Sequence, residues 1–148
     1  MTAAARENYV EAFEKRVRAS FARQAFMKTL GAEIISVGRG TAEIRIPFSA
    51  KLTQQDDYLH AAAITAILDS ACGYAAYSVA PGGSRVLSVE FKVNLLAPAV
   101  GEHFIARAAI KRAGKNLTAC TADAFAIEGK NEKLVATMLA TIVQIHKK

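Results

Sequence analysis

Residues 60–79, HAAAITAILDSACGYAAYSV, decide the fold of this chain. On a period of 3.6 residues, a stripe of small residues holds one carboxylate, Asp69, and the neighbouring stripe is apolar. A helix that is apolar on nearly every face is buried. Polar residues interrupt the run, which barely reaches the roughly 18 apolar residues of a membrane span. We therefore predict a central buried helix and no membrane span.

The presence of Asp69, a carboxylate in an otherwise apolar helix, requires an explanation. An ionised carboxylate in an apolar interior costs several kcal/mol of folding free energy unless hydrogen-bond donors or a cleft solvate it. Two interpretations are open: a functional carboxylate, or an aspartate hydrogen-bonded to a neighbouring loop.

The composition fits one domain of 148 residues, which we divide into an N-terminal helical extension (1–30) and a core (31–148). Apolar residues make up 52% of the chain and charged residues 22%. A net charge of +6 favours an anionic partner. Because the basic residues are scattered, without interleaved aromatic residues or finger spacing, we expect a phosphorylated small molecule and no nucleic acid.

Cysteine and histidine spacing excludes several kinds of site. Cys72 and Cys120 form no CxxC pair, so we predict free core thiols. His60, His103 and His146 lie far apart, which predicts no metal site. The chain has no GxSxG nucleophile motif. The first residues lack the pattern of a secretory signal, which predicts a cytoplasmic protein.

Periodicity predicts the elements on either side of the central helix. A surface helix over 7–28 has its apolar face at Val10, Phe13, Val17 and Phe21, and a short turn follows as far as Gly31. A hairpin over 32–37 and 41–48 and a polar loop over 49–59 come next. Four tightly joined strands over 85–95, 102–112, 117–128 and 134–145 predict an antiparallel meander.

The first of these strands alternates strictly. Leu87, Val89, Phe91, Val93 and Leu95 would share one face, and Ser88, Glu90, Lys92 and Asn94 the other. The predicted class is α+β, with one antiparallel sheet wrapped around one helix. Its free edges favour pairing with a second copy, so we expect at least a dimer.

In this order, the loop, His60-Ala61-Ala62, the Asp69 helix, VLSVEFKVNLLAPAVGE (86–102) and KRAGKNL (111–117) resemble the hotdog-fold acyl-CoA thioesterases of the PaaI-like, phenylacetate-degradation type. The resemblance covers about residues 30–145 and leaves the N-terminal helix outside. It implies a hotdog fold, hydrolysis of acyl-CoA to the free acid and coenzyme A, and no cofactor apart from the coenzyme A of the substrate. It also implies a homodimer or dimer of dimers with active sites between subunits.

The resemblance further implies roles for single residues. The Ala61 N–H would polarise the thioester carbonyl, since helix N-termini carry unpaired N–H groups and a positive dipole end. Asp69 would act as nucleophile or as general base. Gln54 would hold the water or the carbonyl, and Ser88 would orient the water or the carboxylate. His60 would serve the site or cap the helix. The residues implied to contact the substrate are Gln55, Ala62, Arg112, Gly114 and Lys115.

One departure leaves other functions open. The family's helix begins His-Gly-Gly, and this chain has alanine at both glycine positions. A non-catalytic acyl-CoA-binding protein therefore remains an alternative. So does a thioesterase acting on acyl carrier protein, which the basic surface would bind. A hotdog dehydratase is disfavoured because no second acid accompanies His60.

Overall fold

The computed structural model describes the backbone of residues 3–146 and the side chains of residues 12–146. The helices are α1 (Ala3–Phe21), α2 (Ala25–Thr29) and α3 (Ala61–Val79), with a short 3₁₀ helix at Ala50–Leu52. The strands are β1 (Glu33–Gly38), β2 (Thr41–Pro47), β3 (Arg85–Leu95), β4 (His103–Ala113), β5 (Leu117–Glu128) and β6 (Asn131–Ile145). No helix within residues 3–146 is long and apolar enough to cross a membrane.

Helix α3 packs lengthwise on one face of the sheet, which we call the inner face. Ten of its 19 residues are buried. The strand residues beneath it are mostly alanines, among them Ala106, Ala124 and Ala140, all of which are fully buried. Small side chains let the helix backbone approach the strands closely, and Ile44, Ile46 and Phe104 fill the remaining space. The prediction of a buried central helix is confirmed.

The order of the strands corrects one prediction. All pairs are antiparallel, in the order β1-β2-β4-β5-β6-β3. The four last strands therefore do not form a simple meander, because β3 pairs with β6 and β4 pairs with β2. The β3–β4 connection is longer than a hairpin turn, and it is hydrogen-bonded to β6: the Leu96 N–H donates to the Val135 carbonyl over 2.8 Å. It carries the chain across the sheet end and leaves β3 at an edge.

Strand β3 also departs from the predicted alternation. Ser88 lies opposite Ile142 and Glu90 lies opposite Thr141, so Val89 is an extra residue in a β-bulge. Directly opposed residues share a face, and Ile142 is fully buried on the inner face. The prediction that Ser88 shares a face with Glu90, Lys92 and Asn94 is therefore wrong. Ser88 points to the inner face, and Leu87 does not share the face of Phe91, Val93 and Leu95.

The N-terminal segment forms two helices: α1 ends at Phe21, earlier than the predicted end at Lys28, and α2 occupies the place of the short second turn that was predicted to follow as far as Gly31. Helix α1 packs on α3 through Phe13, Val17 and Phe21, which are buried as predicted; the Val10 side chain lies outside the described ones. Arg16 fixes the contact by donating to the carbonyls of Tyr77 (2.9 Å) and Ala80 (2.8 Å). These groups belong to the carboxyl end of α3, where helix carbonyls lack internal partners.

Candidate active site

Asp69 and Ser88 meet in the folded chain. Ser88 Oγ donates a hydrogen bond to Asp69 Oδ1 over 2.5 Å. The bulge at Val89 makes this contact possible, because without it Ser88 would face away from α3. A hydrogen bond to an ionised group contributes about 1.5–3 kcal/mol, so Ser88 both stabilises the carboxylate and fixes its orientation. Asp69 is partly exposed, so a substrate or water can reach it.

A cleft of about 540 Å³ opens beside this carboxylate. We call it the Asp69 cleft. It lies between α3, the start of β3 and the residues that follow α1, and its lining includes Asp69, Gly73, Tyr77, Val86, Ser88 and Arg23. A volume of this size falls within the range of small-molecule sites. The predicted acid therefore faces a space large enough for an acyl group.

The amino end of α3 presents one unpaired amide. His60 is the N-cap residue: its Nδ1 accepts a hydrogen bond from the Ala62 N–H over 2.9 Å, and its carbonyl accepts from the Ala63 N–H over 2.9 Å. This leaves the Ala61 N–H without an acceptor among residues 3–146. An unpaired N–H at the positive end of a helix dipole is suited to a developing oxyanion. The capping role expected for His60 is thus observed, and its role in the site stays a prediction.

Ala61 opens onto a second cleft, of about 430 Å³. We call it the Ala61 cleft, and Gln54, Tyr58, Leu95 and Ala99 also line it. The Gln54 N–H donates to the Tyr58 carbonyl over 2.9 Å and the Asp57 N–H donates to the Gln54 carbonyl over 3.2 Å, and these bonds close a tight turn. Within that turn, the Gln54 side-chain oxygen accepts a hydrogen bond from the Asp56 N–H. The amide nitrogen of Gln54 is thus left to donate to a carbonyl or a water.

The two clefts are separate in one chain. Ala61 and Asp69 lie eight residues apart on α3, which at about 1.5 Å per residue is about 12 Å along the helix axis. A reacting carbonyl has to lie about 3 Å from both the oxyanion donor and the attacking atom. The structure therefore brings together Asp69 with Ser88, and Gln54 with Ala61, but not the two pairs.

The other predicted contact residues lie outside both clefts. Gln55 is exposed and donates to Asp56 Oδ2 over 3.2 Å. Ala62 is exposed. Arg112 lies opposite Ala119 on the face of the sheet away from Asp69, because a bulge at Lys111 shifts its register. In the turn that follows, Gly114 and Lys115 are exposed, and the Gly114 N–H donates to the Leu117 carbonyl over 2.8 Å.

The two thiols, Cys72 on α3 and Cys120 on β5, are buried and free, as predicted. A hydrogen bond with Cys120, together with burial, raises the pKa of the Cys72 thiol well above its ordinary value. Cys72 therefore stays neutral at physiological pH, although it lies one helical turn after Asp69. A neutral buried thiol is a poor nucleophile, so the chemistry of this region does not point to Cys72.

Sequence reasoning missed the wall that α1 and the residues after it add to the Asp69 cleft. Ser20, Arg23 and Gln24 line the cleft there, next to Tyr74 of α3. Burial raises the pKa of Tyr74, and the hydrogen bond with Ser20 and the positive charge of Arg23 act in the opposite direction. The sequence feature that could have indicated this part of the cleft is Gly73, a glycine in mid-helix one turn after Asp69.

Comparisons with known proteins show the family of this chain. A family model described as the thioesterase superfamily matches residues 57–133, more than half of the chain. A solved thioesterase family protein from Silicibacter pomeroyi is 46% identical, with a TM-score of 0.90, over 91% of this chain and 99% of that chain.

Two less similar proteins also match this chain. The PaaI protein of the Escherichia coli phenylacetic acid degradation operon shares the fold, with a TM-score of 0.84 over 94% of this chain and 97% of that one, at 20% identity. A candidate esterase of Thermoplasma acidophilum, Ta0293, is 28% identical over 114 residues, which are 76% of this chain and 83% of the relative. The chain therefore belongs to the thioesterase superfamily: it has the hotdog fold, as the family resemblance implied, and it is a thioester hydrolase.

Proposed function

We propose that the protein hydrolyses acyl-CoA thioesters, with Asp69 as nucleophile or as general base for water. As general base, Asp69 takes a proton from the water that adds to the carbonyl carbon; as nucleophile, Asp69 adds first, and water then hydrolyses the resulting anhydride. In both routes the carbon–sulfur bond breaks, and the products are a carboxylate, the coenzyme A thiol and a proton. The single observation that carries the proposal is the Asp69 carboxylate, held by Ser88 at the mouth of a substrate-sized cleft. In this assignment the Ala61 N–H binds the carbonyl oxygen as negative charge develops on it.

The proposed site needs two copies of the chain. The separation of about 12 Å between Ala61 and Asp69 prevents one chain from supplying both groups to one carbonyl. A twofold axis beside α3 would bring Ala61 of one copy to Asp69 of the other. Because a twofold interface repeats each contact, the dimer would have two equivalent sites. The edge strand β3 supports this arrangement, since Val89, Phe91 and Leu95 on it are exposed apolar residues.

Coenzyme A is the proposed leaving group because its phosphates suit the charge of the protein. The net charge of +6 attracts an anionic substrate. Arg112 and Lys115 are exposed at the β4–β5 turn, and this turn lies at the same end of the sheet as Ser88, since Ile142 pairs with both Ser88 and Thr118. We assign the phosphates of coenzyme A to this turn.

Thiol release from a panel of acyl-CoA substrates tests the proposal. We expect turnover by the purified protein, and Asp69→Asn to lower kcat by about 10²–10⁴-fold, the range of a general acid–base group. Asp123→Asn is the matched control, because Asp123 is exposed on the opposite face of the sheet and loses the same charge. Full activity of Asp69→Asn, or faster turnover of matched carrier-protein thioesters, would contradict the proposal.

Subunit complementation tests the shared site. Gln54→Ala and Asp69→Asn chains, each expressed alone, are expected to have low activity. When the two are co-expressed and purified as a mixed dimer, one site regains both native residues and the other has lost both. Recovery of activity in the mixed dimer is the expected result. If Gln54 and Asp69 of the same chain worked together, the mixture would stay as inactive as its parents.

A further inference from the structure

The Asp69 cleft extends past the carboxylate into a polar end. Asp69 and Tyr74 lie five residues apart on α3, so the cleft continues for about 8 Å along the helix axis beyond the proposed reaction centre. There the wall comes from α1 and the turn after it, through Ser20 and Arg23. Ligand pockets are lined mostly by apolar side chains, and the few polar groups in them give specificity; at this end of the cleft those groups belong to Ser20, Arg23 and Tyr74.

The polar end is built on a rigid tyrosine. The Tyr74 ring is buried and packs edge-on against Phe21, with ring centroids 5.6 Å apart, and against Tyr77 at 6.4 Å. These contacts fix the position of the ring, and Ser20 lies near enough to its hydroxyl to act on the pKa of the phenol. The tyrosine hydroxyl is thus presented at a fixed place in the cleft wall.

Arg23 adds an uncompensated positive charge beside this hydroxyl. Its guanidinium lies close enough to Tyr74 to act on the ionisation of the phenol. Arg23 is exposed, and the ion pairs found among residues 12–146 involve Arg18, Arg45 and Arg107 but not Arg23. A guanidinium has five N–H donors in a planar fork that matches a carboxylate. Its natural ligand in this cleft is an anion.

We propose that Arg23 binds a carboxylate at the far end of the acyl group, so that the preferred substrates are monothioesters of dicarboxylic acids. This inference rests on the proposed function, because it places the thioester carbonyl at Asp69. A phosphate of coenzyme A is the other possible anion. The whole pantetheine arm separates that phosphate from the thioester, whereas Arg23 lines the same cleft as Asp69. The distance therefore favours the acyl carboxylate.

The test compares thioesters that differ only in the terminal charge. Adipoyl-CoA, its neutral methyl ester and hexanoyl-CoA are assayed with the native protein and with Arg23→Gln. We expect Arg23→Gln to lower kcat/KM for adipoyl-CoA about tenfold or more, chiefly through KM, and to leave the two neutral substrates unchanged. Lys28→Gln is the control, since Lys28 is exposed outside the cleft and the net charge changes equally.

Two other results would overturn the inference. An equal loss on all three substrates would assign Arg23 to the phosphates of coenzyme A, and no loss on any would leave it without a role in binding. Calorimetric binding of the uncleavable thioether analogues of adipoyl-CoA and hexanoyl-CoA gives the same comparison without turnover. If neither thioester is hydrolysed, the proposed function fails, and the affinity difference between the analogues still tests Arg23 independently.

Discussion

Gly73→Ala should make the protein more stable and its cleft narrower. Gly73 lies one turn after Asp69 and lines the same cleft, and a Cβ built on it would meet no atom within 4 Å. Its backbone is helical, so no left-handed conformation requires glycine. Glycine inside a helix costs about 0.5–1 kcal/mol relative to alanine. We expect the substitution to raise the free energy of unfolding by that amount, and Tm by about 2–4 °C per kcal/mol.

The same methyl group should narrow substrate preference. It would project into the space beside the proposed reaction centre, where a bulky acyl group would have to lie. One methylene in a binding pocket changes kcat/KM by about 10–200-fold. We therefore expect kcat/KM for phenylacetyl-CoA to fall by at least the lower figure, about tenfold. Turnover of acetyl-CoA, which does not reach Gly73, should be unchanged.

Thermal unfolding and thiol release, measured on one preparation, check the expected rise in stability and the expected fall in kcat/KM for phenylacetyl-CoA. Gly82→Ala is the control: Gly82 also has no atom within 4 Å of a built Cβ, but it lies in a loop outside the Asp69 cleft. A lower Tm for Gly73→Ala would refute the reasoning, because it would mean that another surface packs on Gly73. An equal loss of activity on both thioesters would refute the assignment of this space to the acyl group.

Two further substitutions test the contacts that hold the site. Ser88→Ala removes the hydrogen bond to Asp69 Oδ1. We expect kcat to fall about tenfold with little change in KM, since such bonds contribute about 1.5–3 kcal/mol. Ser88→Thr should recover most of kcat, and its failure to do so would count against an orienting role for the hydroxyl. Arg16→Met should lower the free energy of unfolding, measured by heat or urea, by about 2–3 kcal/mol, because the carbonyls of Tyr77 and Ala80 lose their donor. Unchanged stability would show that water replaces the Arg16 guanidinium as donor without cost.

Local patterns were enough to predict most of the elements. The predicted strand over 85–95 has the bounds of β3, and the helix predicted over 60–79 differs from α3 only at its first residue, His60, which is the N-cap. Turn residues marked the remaining boundaries to within a few positions. These features depend on the side chains of near neighbours, which is why a single sequence contains them.

The faces of β3 could not be predicted from alternation. The bulge at Val89 is decided by pairing with β6, some fifty residues further along the chain, and it alone turns Ser88 toward Asp69. The predicted order of the last four strands was wrong for the same reason. Short connections favour neighbouring strands, but the β3–β4 connection bonds to β6 and crosses the sheet instead.

For this protein, the sequence by itself determined the buried helix, the carboxylate inside it and the class of fold, because hydrophobic period and residue size act locally. Only the tertiary structure decided which groups share a site. It put Ser88 against Asp69, left the Ala61 N–H unpaired about 12 Å away, and brought Arg23 into the cleft wall. Those placements follow from hydrogen bonds and packing between distant segments, which no pattern of neighbouring residues records.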